Sequence, residues 1–176
     1  DILAVTDNAA LGTPVLFTQS YVSNPLVIVM SSKQHYIEGL AAIKDRSIGV
    51  VKDYGYVERL MLQHPDHQFE LVNNIEEGLL AVSTGKVEAF LCTVTLCGYN
   101  IKKMALQNVK IVGITNYNAD LVFAVRPEYQ PLVGILDKAI KNISEESQQK
   151  ILDNWSLQGF VVKTDFTLIW QLLAAF

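Results

Sequence analysis

The apolar positions change period several times along the chain, and each change predicts an element. Ser47-Ile-Gly-Val-Val51 is a short apolar run of strand character. Val57, Leu60 and Met61 then fall at i, i+3 and i+4, as on one face of a helix. Phe69-Glu-Leu-Val72 predicts a second strand. Ile75, Leu79 and Val82 predict a second helix ending near Gly85, and Ala89-Phe-Leu-Cys92 a third strand. Strand, helix, strand, helix, strand with short links argues for a parallel, doubly wound sheet. In such sheets ligands sit beyond the carboxyl ends of the strands. Val51-Lys-Asp-Tyr-Gly-Tyr56 lies at one such end, just before a helix, and is the first place to look for a site.

The flanks are read in the same way. Asp1 to Val5 predicts a strand, Thr6 to Pro14 a turn-rich loop, and Pro25 to Met30 a strongly apolar strand. Ile37 to Ile43 fits a short helical turn, and Thr95 to Leu106 a helix. Val109 to Ile114 predicts a strand, Thr115 to Asp120 a polar loop, and Leu121 to Val125 a strand stopped by Arg126-Pro127. Leu132, Ile135, Leu136, Ala139, Ile140 and Ile143 carry the clearest helical periodicity. Ser144 is placed to cap a further helix, with Glu145 and Glu146 in its first turn and Ile151, Leu152 and Trp155 on its buried face. Asp165 to Phe176 is almost uniformly apolar, too short to span a bilayer but fit to begin a membrane helix, with Phe166 and Trp170 as interfacial aromatics.

Composition narrows the classes. Half of the 176 residues are apolar and 18% are charged, so the chain is globular material. A net charge of −4 without a Lys/Arg cluster argues against nucleic acid. The chain opens on a strand without a Met or signal peptide, which suggests a processed chain or a fragment. Cys92 and Cys97 read as two buried thiols, free to pair in an oxidising compartment. His64 and His67 flank Pro65 in a turn, and no Cys/His cluster has metal spacing, so neither a metal nor a cofactor is expected.

Several stretches in series resemble the bacterial extracellular solute-binding protein family 3, the two-lobed periplasmic binding fold, and more narrowly its use as the sensor module of transmembrane histidine kinases. They are Asp1-Ile-Leu3 with Phe17-Thr-Gln-Ser-Tyr21, Ser47 to Tyr56, Asn74 to Val82 with Gly85 to Ala89, Tyr99-Asn-Ile101, Val109 to Gly113, Leu121 to Arg126, and Ile151 to Trp155. The resemblance implies an α/β fold of two lobes, with lobe one incomplete at its N-terminus. Residues 1–30 would begin lobe one, 31–113 form lobe two, 114–156 return to lobe one, and 157–176 lead toward a membrane helix. Hinge strands would cross near Met30 and Ile114.

Carried over by position, the ligand-binding residues are Thr6, Asp7 and Asn8 on the lobe-one loop, Tyr54, Gly55 and Tyr56 on the lobe-two loop, and Thr93 after the third strand. Gly55 could equally serve only the turn and Tyr56 only the core. Two charged anchors of the amino-acid binders are replaced. Leu11 stands where an Arg would clamp the ligand carboxylate, and Thr93 where an Asp would pair with the amine. The implied ligand is a small molecule, whether amino-acid-like, an organic acid or an aromatic metabolite, with an anion at the α-helix N-terminus near Tyr54 also open.

The expected role is a periplasmic, non-enzymatic solute sensor anchored to the inner membrane through its C-terminal segment. A homodimer is compatible with the full-length protein. The alternatives are a free solute-binding protein of an ABC transporter, against which the apolar tail counts, and a cyclic-acid dehydratase using Asp7, Asp53 or Glu58, for which no paired-carboxylate motif exists.

Overall fold

The structure is a computed structural model and describes residues 2–6, 13–144, 146–148 and 150. The expectations for Asp7, Asn8, Leu11, Ile151 to Trp155 and the apolar tail lie outside the described residues. The chain runs β1 (Ile2–Thr6), β2 (Leu16–Phe17), β3 (Pro25–Ser31), a 3-10 turn (Leu40–Ile43), β4 (Ser47–Val51), α1 (Gly55–Gln63), β5 (Gln68–Val72), α2 (Ile75–Thr84), β6 (Ala89–Thr93), α3 (Val94–Lys103), β7 (Val109–Asn118), β8 (Leu121–Val125) and α4 (Gln130–Lys141). They form two sheets, a three-stranded one ordered β1-β8-β2 and a five-stranded one ordered β5-β4-β6-β3-β7.

Strands β4, β5 and β6 pair in parallel, as the alternation of strands and helices predicts. β3 is antiparallel to both β6 and β7, so the complete sheet is mixed. Side chains on a strand alternate between faces, and β3 has apolar side chains for both. Leu26, Ile28 and Met30 enter a core with Ile48, Val50, Val57 and Leu60, under α1. Val27 and Val29 enter the opposite core with Leu79, Val82 and Phe90, under α2 and beside α3. Helices thus cover both faces, the doubly wound arrangement.

The expected crossings at Met30 and Ile114 do not coincide with the change of sheet. Met30 pairs with Ala89 and Lys110, and Ile114 with Val27, all inside the five-stranded sheet. Nor is Thr115 to Asn118 a loop, since β7 continues through it. The Thr115 hydroxyl donates to the Leu26 carbonyl (2.9 Å), and Asn118 pairs with Pro25. Polar composition suggested a loop, but these residues sit at the end of a paired strand. The chain instead changes sheet between Val22 and Pro25 and again between Asn118 and Leu121.

The two crossings are bonded to each other. Tyr21 N–H donates to the Leu121 carbonyl (2.9 Å), Leu121 N–H to Val22 (3.0 Å) and Ala119 N–H to Asn24 (3.0 Å). Asn24 N–H donates to Asp120 Oδ1 (3.0 Å). Against the three-stranded sheet, Gln19 ties the strand segment to α4, its backbone N–H donating to Asp137 Oδ1 and its side-chain amide to the Asp137 carbonyl, both at 2.8 Å.

α2 is capped at both ends, its C-terminus falling at Gly85 as the sequence predicts. Asn74 Oδ1 accepts from Glu77 N–H (2.8 Å), and Gly85 ends the helix at φ +77°. Gly78 lets the helix lie directly on the Phe90 ring, since a Cβ there would overlap the ring carbons. Phe90 is fully buried and cannot swing away. Gly78→Ala is therefore expected to destabilise by about 2 kcal/mol despite its gain in helix propensity, read as a lower urea midpoint at unchanged slope.

The turn after α1 packs on β7. His64 Nε2 and the Tyr117 hydroxyl are 2.7 Å apart, Tyr117 donates to Gln63 Oε1 (2.8 Å), and the His64 and His67 rings meet edge to face at 4.8 Å. Burial, and secondarily the neighbouring His67, lower the His64 pKa. The folded state then resists protonation of His64, while the unfolded chain protonates it near its ordinary value. Its stabilising contribution is present above about pH 6.5 and is lost as pH falls below that value. The melting midpoint should drop between pH 7.5 and 5.5, and His64→Gln should flatten that slope.

Candidate functional site

One cavity of about 760 Å³ lies where the two sheets meet. From the three-stranded sheet come Val5 and Thr6 at the end of β1 and Leu121 at the start of β8. From the crossings come Asn24 and Ala119. From the five-stranded sheet come Lys52 to Glu58, Met61, Leu71, Thr93 and Leu96. β4, β5 and β6 run parallel, and Lys52, Leu71 and Thr93 mark their carboxyl ends, where an open α/β sheet leaves its binding crevice. The volume suits a metabolite-sized molecule.

Five of the seven expected site residues line this cavity together: Thr6, Tyr54, Gly55, Tyr56 and Thr93. Asp7 and Asn8 lie outside the described residues. The reading of Gly55 as the residue that permits the turn is corrected. The left-handed residue is Asp53 at φ +64°, a type that tolerates this region, whereas Gly55 is the first residue of α1. Tyr54 and Tyr56 differ in burial. Tyr56 is 2% exposed within the α1 core, and Tyr54 is half-buried against both cores. Their rings meet edge to face at 5.7 Å.

Two of the lining residues carry buried, unpaired hydroxyls. The Tyr56 hydroxyl and Thr93 Oγ1 are buried and have no hydrogen-bond partner. Burial, and then the neighbouring Tyr54, hold the Tyr56 phenol far above its ordinary pKa. Burial and the Glu76 charge raise that of Tyr54. Both phenols are therefore neutral O–H groups at physiological pH. Thr93 is the N-cap residue of α3 yet makes no capping bond, and Tyr54 at the N-cap of α1 makes none either. The leading turns of two helices thus face the cavity region without side-chain caps. Lys52, Asp53 and Glu58 line the cavity from exposed positions.

Periodicity could not point to Asn24, Met61, Leu96, Ala119 or Leu121. Asn24 is buried at 7%, and its side chain accepts from the Thr95 hydroxyl (3.2 Å). Beneath Thr93, Cys92 and Cys97 are buried as expected and are bonded to each other, with Cα atoms 6.0 Å apart, a normal span for a disulfide. They tie the end of β6 to α3. Among the described residues no group of acidic, His or Cys side chains could hold a metal ion, and no helix is long and apolar enough to cross a membrane.

No family model matches the chain. It is similar to the virulence sensor protein BvgS, at 24% identity over 149 residues for Bordetella bronchiseptica and 22% for Bordetella pertussis. The match covers 84% of this chain but spans only 12% of those curated relatives. Among solved structures, the periplasmic VFT2 domain of Bordetella pertussis BvgS superposes with a TM-score of 0.71 at 22% identity, covering 86% of this chain and 65% of that one. A histidine kinase sensor domain with similarity to periplasmic binding proteins superposes at 0.70 with 16% identity, covering 91% and 71%. An ancestral arginine-binding protein bound to glutamine superposes at 0.64 with 21% identity, covering 86% and 68%. The fold is that of the two-lobed periplasmic binding proteins, of which this chain covers part, and the expected resemblance to a sensor-kinase periplasmic module holds.

Proposed function

We propose that the chain is the extracytoplasmic solute-sensing domain of a membrane-bound signalling protein, a sensor histidine kinase. It binds a small molecule between two lobes and is not itself an enzyme. The observation that carries this reading is that the 760 Å³ cavity is walled by the ends of both sheets and by the crossings that join them. A ligand there touches both walls at once. Contacts to both walls exist only when the lobes are close, so the ligand stabilises the closed form through differential contact.

In this reading lobe two comprises about residues 25–118 and the described part of lobe one lies on either side. The crossings at 22–25 and 118–121 act as the hinge. Thr6, Tyr54, Gly55, Tyr56 and Thr93 contact the ligand, and Asp7 and Asn8 are proposed as further contacts. Residues 157–176 connect the module to a membrane helix, which places the domain in the periplasm, anchored to the inner membrane. The likeness to BvgS and to a kinase sensor domain supports this setting over a free transport protein.

The test is a metabolite screen by thermal shift, followed by small-angle scattering on each hit. A true ligand at a hundred times its Kd should add about 2.7 kcal/mol of stability and reduce the radius of gyration. Leu96→Trp, which fills the cavity from a partly exposed position, should abolish both responses while leaving the ligand-free midpoint near wild type. Hits that stabilise the Leu96→Trp variant as strongly as wild type would place binding elsewhere.

A further inference from the structure

The Cys92–Cys97 bridge stands where a staple for the whole fold would gain little. The stabilisation that a cross-link gives grows with the loop it closes. Here the partners are five positions apart and belong to the same core, so the bridge joins no distant parts of the chain. The loop it closes is the turn from β6 into α3. That turn is otherwise lightly fastened, because Thr93, the N-cap residue of α3, makes no capping bond. Among the described residues, Thr95 supplies the side-chain bond that reaches out of the loop, its hydroxyl donating to Asn24 Oδ1 at the first crossing (3.2 Å). Asn24 N–H in turn donates to Asp120 Oδ1 at the second crossing (3.0 Å).

Burial decides how the sulfurs can be reached. Both cysteines are 0% exposed. On the strand side, β6 is paired with β4 and with β3, so the way in is through α3, the outer layer. Thr95 is half-buried and Leu96 is 38% exposed, so lifting the first turn of α3 gives up little apolar burial. Lifting it does break the Thr95–Asn24 bond. Access to the sulfurs is therefore tied to the crossings. Once reduced, the two thiols can stay in the core as small apolar side chains.

Independently of any solute, we propose that the Cys92–Cys97 bridge is a redox switch, which a dithiol opens through the first turn of α3 and which then releases that turn from the crossings. A thiolate of the dithiol attacks one bridge sulfur. The S–S bond breaks, a mixed disulfide forms, and the other cysteine leaves as a thiolate and takes up a proton. The second thiol of the reductant attacks the mixed disulfide, frees the remaining cysteine and closes a disulfide of its own. Two electrons and two protons pass to the cysteines, and the dithiol is oxidised.

The experiment uses the full natural protein with dithiothreitol as the dithiol, in native buffer and without added solute. Alkylation with peptide mass spectrometry reads free Cys92 and Cys97, and hydrogen exchange reads the backbone. Reduction is expected in native buffer, with exchange at residues 93–97 at least about tenfold faster while β4 and α1 keep their protection. Oxidised glutathione should restore the slow exchange. Thr95→Val should speed reduction about fivefold. Thr115→Val, which removes a hydroxyl bond between β7 and Leu26, should leave the rate within about twofold. Cys92→Ala/Cys97→Ala should show the fast exchange without dithiothreitol and no response to it.

Reduction confined to urea concentrations that unfold the chain would make the bridge a structural staple and overturn the proposal. Exchange that rises across the whole five-stranded sheet would do the same, as would exchange that stays slow at residues 93–97 once both cysteines are free. Equal acceleration by Thr95→Val and Thr115→Val would assign reduction to global opening and overturn the switch.

Discussion

The double burial of β3 is the constraint on which the rest of the structure depends. Its five central residues, Leu26 to Met30, are at most 1% exposed and alternate into two separate cores. A strand of this kind must have sheet partners on both sides and helices on both faces. It finds β6 and β7 beside it, α1 on one face and α2 with α3 on the other. This fixes where the chain can change sheet. The crossing is pushed out of the apolar run to the short segment ahead of Pro25, and β7, its partner, carries the return crossing to the matching height. The cavity stands at that height because the parallel strands β4 and β6 end there too.

Packing and site chemistry meet at Tyr56 and Thr93. Tyr56 fills the α1 core with its ring while its hydroxyl goes unpaired, and Thr93 closes β6 without capping α3. Each arrangement gives up stability that an apolar residue of similar shape, or a proper cap, would recover. Concentration of such local defects on one cavity is the pattern expected where a protein trades stability for function. The Cys92–Cys97 bridge and the close seat of α2 over Phe90 offset this loosening directly below the site.

Local periodicity made most elements of the five-stranded sheet legible, because short links and strong alternation between strand and helix leave few other arrangements. The end of α2 was legible from Gly85, while its Asn74 cap was not read from the sequence. Less legible was the extent of β7, where Thr115 to Asn118 look like a loop by composition and become strand through pairing with β3. That pairing joins residues about ninety positions apart, and local pattern carries no record of it. The site was partly legible. Residues at the ends of predicted strands, Tyr54 to Tyr56 and Thr93, fall together because strand ends converge in this sheet type. Asn24, Ala119 and Leu121 enter only through the crossings. The helical stripe of α4 was plain in sequence, yet Ile135 on it is 62% exposed and Ile140 is the helix's one buried residue, since periodicity marks a face and not what covers it.

The crossings also explain how occupancy of the cavity can become a movement. They are held to each other by backbone hydrogen bonds at Tyr21, Ala119 and Leu121 and by the Asp120 carboxylate on Asn24. Two strands bonded side by side bend as one, so the proposed hinge motion would be a rotation about that pair. Asn24 and Ala119 belong both to the crossings and to the cavity wall, and Asn24 also accepts from Thr95 on α3. A molecule in the proposed site would therefore touch the crossings and both sheets together. On the far side, Gln19 and Asp137 clamp α4 to the segment that leads into the first crossing. Rotation about the proposed hinge would carry α4 with the segment it clamps.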